Sequence, residues 1–382
     1  MTKQEPWVFN DRARMRLLVC NPRPGQGLEN TGIWLTPRLL RNLLMLIEEG
    51  ELRDFNLHEF RQLCEIGVLT PASELAPKVF FQPRLGTHWP ELTPYLDKYR
   101  QQAWSGLELC PGLDLAAESP KEWPENLLEP EAVPLWLPPR SWRELAMPFV
   151  PSGEIRQLLQ ALVAGQTAVD ALPPELVSLL ATAGVLRRPE AGNDFWLSQG
   201  QPLAEARRSL AERGYVVLRQ VVNPLQLAAV RGYSRQLEQG GYFEADQAQV
   251  KGRQLFHNHP LMQFLHLQLN QVIRDIVPLP VKPSYSYLAI YPGGCELKRH
   301  LDRRQCAWNV SLALDMEPEP ASPWPFCLEY KDQVHSLELE MGDLVLYSGT
   351  QTPHWRPHLP KEQRAGMALF HFVNVHYAGA LD

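Results

Sequence analysis

The sequence predicts an α+β chain, mainly helical over its N-terminal half and sheet-rich, of sandwich or barrel type, from about residue 196. Three observations predict it. Two N-terminal stretches repeat one helical pattern, and the hydrophobic rhythm changes from helical to strand-like after Pro202. Residues 284–375 then hold many short β-branched or aromatic runs separated by Gly and Pro.

The repeated pattern comes first. Leu43, Leu44, Ile47 and Gly50 are followed by Ile66-Gly67-Val68-Leu69, and Leu158, Leu159, Leu162 and Gly165 by Ala183-Gly184-Val185-Leu186. Apolar residues at i, i+1 and i+4 mark an amphipathic helix, and a glycine fits the left-handed position that closes one. Residues 59–63 and 176–180 supply the second helix of each helix-turn-helix module. The second module runs on through Arg187-Arg188-Pro189-Glu190 to Phe195-Trp196-Leu197, where the wing strands of a winged-helix fold would lie. Between the modules, residues 110–140 are dense in proline and predict an irregular connection that its tryptophans and leucines pin to a surface. These changes of texture divide the chain at 1–110, 111–195 and 196–382.

In the C-terminal part, helices are expected at 203–213, 224–239 and 261–276, with a short β-branched strand at 214–218 between the first two. Strands are expected at 285–291, 307–315, 326–330, 335–339, 343–348 and 366–375, with the helices buttressing one face of the sheet.

Composition narrows the function classes. The 382 residues are 45% hydrophobic, enough for substantial cores, and carry 43 acidic and 37 basic side chains without long single-sign runs. That charge pattern offers no footprint for nucleic acid or an anionic membrane. No apolar run has the length of a membrane span and the first residues do not read as a signal peptide, so the cytoplasm is the expected address. The six cysteines, Cys20, Cys64, Cys110, Cys295, Cys306 and Cys327, form no Cys-x-x-Cys pair and are expected as reduced thiols. Oligomeric state leaves no trace in the sequence.

One constellation carries chemistry. A metal site of the two-histidine, one-carboxylate type needs neutral imidazoles and a carboxylate on one face of the ion, with the remaining positions open. His300-Leu301-Asp302 places two such ligands on one side of an extended strand, and His354, just after the strand-like run Gly342-Asp343-Leu344-Val345-Leu346-Tyr347, offers the third. His257 and His259 form a second His-x-His pair without an obvious further ligand. His358 is an alternative to His354, and His371 suits a buried, hydrogen-bonded core position.

The surroundings of the triad are specific. Tyr287-Leu288-Ala289-Ile290-Tyr291-Pro292-Gly293-Gly294 precedes it, and Trp308-Asn309-Val310-Ser311-Leu312-Ala313-Leu314, Pro353-His354-Trp355-Arg356 and Arg364 follow. In this order and spacing, residues 205–376 resemble the 2-oxoglutarate and Fe(II) dependent oxygenase superfamily, particularly its prolyl-hydroxylase-like and phytanoyl-hydroxylase-like branches. The resemblance implies a double-stranded β-helix (jelly roll) with His300, Asp302 and His354 as iron ligands. It further implies 2-oxoglutarate and O2 as cosubstrates, and hydroxylation of an unactivated C–H bond as the reaction. In that superfamily a basic residue about ten positions after the distal histidine grips the far carboxylate of 2-oxoglutarate. Arg364 stands at that offset, with Arg356 and Arg303 as competitors. Tyr287, Tyr291 and Asn309 are further candidates to contact the cosubstrate, the tyrosines being equally suited to a core. Asp302 argues against a halogenase, which lacks the carboxylate ligand.

The helical modules resemble the winged-helix peptide-binding modules of peptide-modifying systems, which makes the expected substrate a peptide or peptidyl amino acid, or else a small molecule. Packing of two helical hairpins on each other explains the same leucines. Two other functions compete: a binding or scaffold protein whose β-helix has lost turnover, and a cupin-type iron dioxygenase that would want more histidine ligands and leave Arg364 unexplained.

Overall fold

The computed structural model describes residues 15–19, 31–49, 55, 57–65, 68–69, 78–90, 93–124, 126–188, 202–246, 249–319 and 324–381. Gly50 and Gly67, expected to close helices, and the expected wing strands at 195–197 lie outside these residues, as does Cys20. The chain divides into two compact units, Met1–Lys78 with Leu237–Glu244, and Val79–Gln236 with Ala245–Asp382.

In the first unit, β1 (Met15–Val19) pairs antiparallel with β2 (Thr31–Leu35), and α1 (Pro37–Glu49) and α2 (Leu57–Glu65) follow. The hydroxyl of Thr36 accepts the Leu39 N–H at 3.1 Å and so caps α1. Leu39, Leu43 and Leu63 form the buried centre, with Leu35, Phe55, Val68 and Leu69 packed on it. The two strands are absent from the sequence expectation, because five-residue runs as short as these carry little periodicity.

In the second unit, α3 (Thr93–Arg100), α4 (Gly153–Val163) and α5 (Pro174–Ala183) precede the sheets. Ser152 caps α4 by accepting the Ile155 N–H at 3.3 Å, and α5 closes on Gly184 at φ +86°, the left-handed conformation expected there. The proline-rich stretch is pinned by its tryptophans. Trp123 and Trp136 meet Phe264 edge-on, with ring centroids 5.0 and 6.0 Å away. Asn223 donates to the carbonyls of Thr182 and Ala183, and the Gln268 amide brackets the backbone of Ala146. The second helical module is thus fastened directly to the helices that carry the sheets.

Those helices are α6 (Leu203–Arg213), α7 (Pro224–Gln239) and α8 (Pro260–Ile276). The strands are β3 (Tyr215–Leu218), β4 (Gln254–His257), β5 (Val281–Tyr291), β6 (Leu297–His300), β7 (Trp308–Glu317), β8 (Phe326–Tyr330), β9 (Gln333–Leu337), β10 (Leu344–Tyr347), β11 (His354–Arg356) and β12 (Arg364–Asn374). In the larger sheet the order runs β3-β10-β7-β12-β5-β4, and in the smaller one β6-β11-β8-β9. From β5 onward the chain crosses between the sheets: larger, smaller, larger, then the hairpin β8–β9 in the smaller, then larger, smaller, larger. This alternation of antiparallel strands is a double-stranded β-helix.

Burial follows from the layers. β7 and β10 are buried along almost their whole length, since the smaller sheet covers one face and helices the other, whereas β9 at the edge is largely exposed. Among the described residues no helix is long and apolar enough to cross a membrane.

Candidate metal centre

Two strand ends meet at one mouth of the roll. His300 ends β6, Asp302 follows it, and His354 opens β11, paired directly opposite His300. The ligand-type atoms of His300, Asp302 and His354 all lie within 4.8 Å of one another. His300 Nε2 is 3.1 Å from Asp302 Oδ1, and His354 Nε2 is 3.4 Å from Asp302 Oδ2.

Hydrogen bonding fixes which ring nitrogens face inward. His300 Nδ1 donates to the Lys298 carbonyl at 2.7 Å and His354 Nδ1 to the Thr352 carbonyl at 3.0 Å. A carbonyl only accepts, so each Nδ1 carries a proton and each ring turns its Nε2 towards the carboxylate. Two imidazole nitrogens and a carboxylate converging this closely are a donor set that a cation between them would hold in common, and the set therefore fits a metal ion.

Burial pushes the His354 imidazole down to about 4 and keeps it neutral. Burial also acts to raise the Asp302 carboxyl, but the His300 hydrogen bond and nearby imidazoles outweigh it and hold the group below its ordinary range. For His300, burial opposes the charged form, while Asp302 and the Lys298 carbonyl favour it and prevail.

The carboxylate is held from behind. Its backbone N–H donates to the Gly349 carbonyl at 2.9 Å, and Asn309 Nδ2 donates to Oδ2. His371 Nδ1 donates in turn to Asn309 Oδ1 at 2.8 Å, which sets the amide's orientation. Gly349 is needed for close approach, since a Cβ there would lie 2.7 Å from Asp302 Oδ2 and collide with Asn309. The rings of Phe326 and Tyr347 pack on His354, with centroids 5.8 and 4.7 Å away.

The triad opens into a cavity of about 390 Å³. Arg356, two residues after His354 and so on the same face of β11, reaches into it. It is 2% exposed, lies between the rings of Trp324 and Phe326, and donates to the Trp324 carbonyl and Ser311 Oγ. Burial lowers its guanidinium to about 10, which leaves it charged at neutral pH. Among the described residues no carboxylate pairs with it. Arg253 also lines the cavity but is paired with Asp246 at 2.6 Å and donates to the Tyr291 hydroxyl at 3.2 Å.

No family model and no curated protein match this sequence. Solved structures do. A prolyl-4-hydroxylase from Pseudomonas putida is 17% identical, with 45% of this chain and 100% of that chain covered at a TM-score of 0.39. A prolyl hydroxylase from Trichoplax adhaerens, solved with a hypoxia inducible factor peptide, is 16% identical over 44% of this chain and 88% of that one, at 0.39. HygX from Streptomyces hygroscopicus, solved with nickel and 2-oxoglutarate, is 12% identical over 45% and 87%, at 0.38.

Of the residues singled out by sequence, His300, Asp302, His354, Asn309, Tyr287, Tyr291 and Arg356 line one cavity. Arg364 does not. Its guanidinium binds Asp315 at 2.7 Å on the helix-covered side of the larger sheet, together with Arg231 and Arg235. His358 is exposed beside Glu296, 3.4 Å away, and His259 caps α8 by accepting the Leu261 N–H at 3.1 Å. Sequence reasoning missed Gly349 and also Gln249, whose amide donates to His300 Nε2 at 2.8 Å. Neither stands in a recognisable motif.

Asn309→Ala removes the carboxylate's outer support and frees His371. Metal affinity is expected to fall about 10–100-fold, the usual cost of losing such a partner, measured by competition with a coloured chelator. An unchanged affinity would show that Gly349 and the strand ends suffice to hold Asp302.

Proposed function

We propose that this chain is an Fe(II)- and 2-oxoglutarate-dependent oxygenase that hydroxylates an unactivated C–H bond. The observation that carries the reading is a two-histidine, one-carboxylate cluster opening onto a cavity that holds a buried arginine with no carboxylate partner among the described residues. When bound, Fe(II), 2-oxoglutarate and O2 supply the oxidising chemistry, with the cosubstrate leaving as succinate and carbon dioxide.

The chain's own residues hold, orient and shelter. His300 and His354 present their Nε2 atoms, and Asp302 presents an anion whose direction Asn309 sets. We assign the far carboxylate of 2-oxoglutarate to Arg356, not Arg364, with the Ser311 hydroxyl beside it. A guanidinium kept from water by Trp324 and Phe326 binds a carboxylate far more strongly than an exposed one does. Leu369, Val310 and Tyr287 line the same cavity.

The test is anaerobic titration of the full chain with Fe(II) and 2-oxoglutarate, followed through the visible charge-transfer band of the complex. Arg356→Met should raise the 2-oxoglutarate concentration needed by about 10–100-fold, as expected for losing a charge-assisted pair worth roughly 1.5–3 kcal/mol. Arg364→Met should leave it unchanged. No band with the unsubstituted chain would overturn the cosubstrate assignment, and substrate-dependent succinate release separates an enzyme from an oxygenase-like scaffold. The helical modules, whose pattern is similar to peptide-binding domains, make a peptide or peptidyl amino acid the substrate class we carry forward.

A further inference from the structure

We infer that Arg303 and Tyr285 form a subsite at the cavity mouth for a carboxylate carried by the substrate. The inference rests on the oxygenase reading and names the substrate class for that same site.

Charge accounting within the cavity leads to it. A divalent ion, dianionic 2-oxoglutarate, Asp302 and Arg356 cancel one another. Arg253 is neutralised by Asp246. The cavity's remaining charged side chain is Arg303, directly after the ligand Asp302, and among the described residues no carboxylate pairs with it. Arg303 is exposed at the cavity mouth and open to an incoming anion, and the unassigned participant is the substrate.

Arg303 is held as a recognition group would be. Its Nε donates to the Tyr285 hydroxyl at 3.2 Å, and its guanidinium carbon lies 4.9 Å from the centre of the Tyr285 ring. Tyr285 is itself fixed, 2.9 Å from Cys306 Sγ and packed at a tilt against His371, 4.5 Å between ring centroids. One edge of the guanidinium is thus anchored on a rigid aromatic wall, which leaves its terminal nitrogens to grip a carboxylate in a forked geometry. Arg356 lies beyond Ser311, whereas Tyr285 shares the layer of Asn309 and His371 beside the metal ligands. Cosubstrate and substrate carboxylates are therefore read by different arginines.

The full chain, loaded with redox-inert Zn(II) and saturating 2-oxoglutarate, is titrated with two matched probe pairs by calorimetry. One pair is N-acetyl-glutamate N-methylamide against the glutamine analogue; the other is phenylacetate against phenylacetamide. The acid should bind about tenfold more tightly than its amide in at least one pair, with that preference lost in Arg303→Met and kept in Arg303→Lys. The responding pair distinguishes a peptide-borne from a free acid. Equal affinities in both pairs, a preference that survives Arg303→Met, or weakened 2-oxoglutarate binding in that variant each overturn the inference, the last by moving Arg303 to the cosubstrate. The 2-oxoglutarate affinity of the unsubstituted chain, read in the same series, tells failure of this subsite from failure of the oxygenase reading.

Discussion

Asp302→Ala should leave a folded protein that no longer retains Fe(II) and releases no succinate. The carboxylate is the one anion that both imidazoles face, at 3.1 and 3.4 Å. Without it the site keeps two neutral donors and no charge to offset a divalent ion. Losing an outer partner of a ligand costs roughly 10–100-fold in affinity, and losing the anionic ligand itself must cost more. The fold should survive because Asp302 lies beyond the end of β6 and its backbone N–H still reaches the Gly349 carbonyl, so that Asn309 Nδ2 is the donor that loses its partner. Metal content after anaerobic desalting, together with the thermal midpoint, checks both halves of this expectation. Full iron stoichiometry in the variant would mean that the ion sits elsewhere.

The legibility of this site in the sequence has a physical basis. A strand repeats its direction every two residues, so His300 with Asp302, His354 with Arg356, and Asn309 with Ser311 can each be placed on one face without knowing the fold. The same rule explains Arg364. On β12, Leu369 and His371 face the cavity, while Phe370 and Phe372 face outward onto His266 of α8, at 5.4 and 4.6 Å between ring centroids. Arg364 shares the even parity of the outward residues and leaves the cavity accordingly. A fixed offset from His354 counts residues along the chain, whereas the face of the sheet decides contact. Arg356 carries the right parity, although only the roll could show that its neighbours would be Trp324 and Phe326. Strand β4 was hidden for a different reason. Its four residues, Gln254–His257, are stabilised by pairing with β5, whose partner residues Tyr287 to Ile290 are too distant in sequence for local periodicity to register.

Arg364 contributes to stability through the cluster it joins, and Asp315→Ala should lower the unfolding free energy by about 3–5 kcal/mol, the usual cost of breaking a buried ion pair from one side. Asp315 is 1% exposed and receives Arg231 at 2.9 Å, Arg235 at 2.8 Å and Arg364 at 2.7 Å. Burial acts to raise its carboxyl, but the three guanidinium groups outweigh that and hold it below the ordinary carboxylate range. Because the folded value is depressed, the stabilisation is present above the unfolded value of roughly 3.9 and is lost as pH falls through the folded one. Denaturant midpoints for the parent and variant should therefore converge in acid, and a neutral-pH difference below about 1 kcal/mol would place the cluster among weak surface pairs. The backbone adds to the argument. The pairing of β7 with β12 shifts register between Ala313 and Asp315, and a Cβ on Gly366 would come within 2.9 Å of the Asp315 Cβ. The carboxylate therefore fastens an irregular crossing on the strand that also carries Asn309 and Ser311. Loosening it should weaken 2-oxoglutarate binding through Ser311 even though no atom of Asp315 lines the cavity.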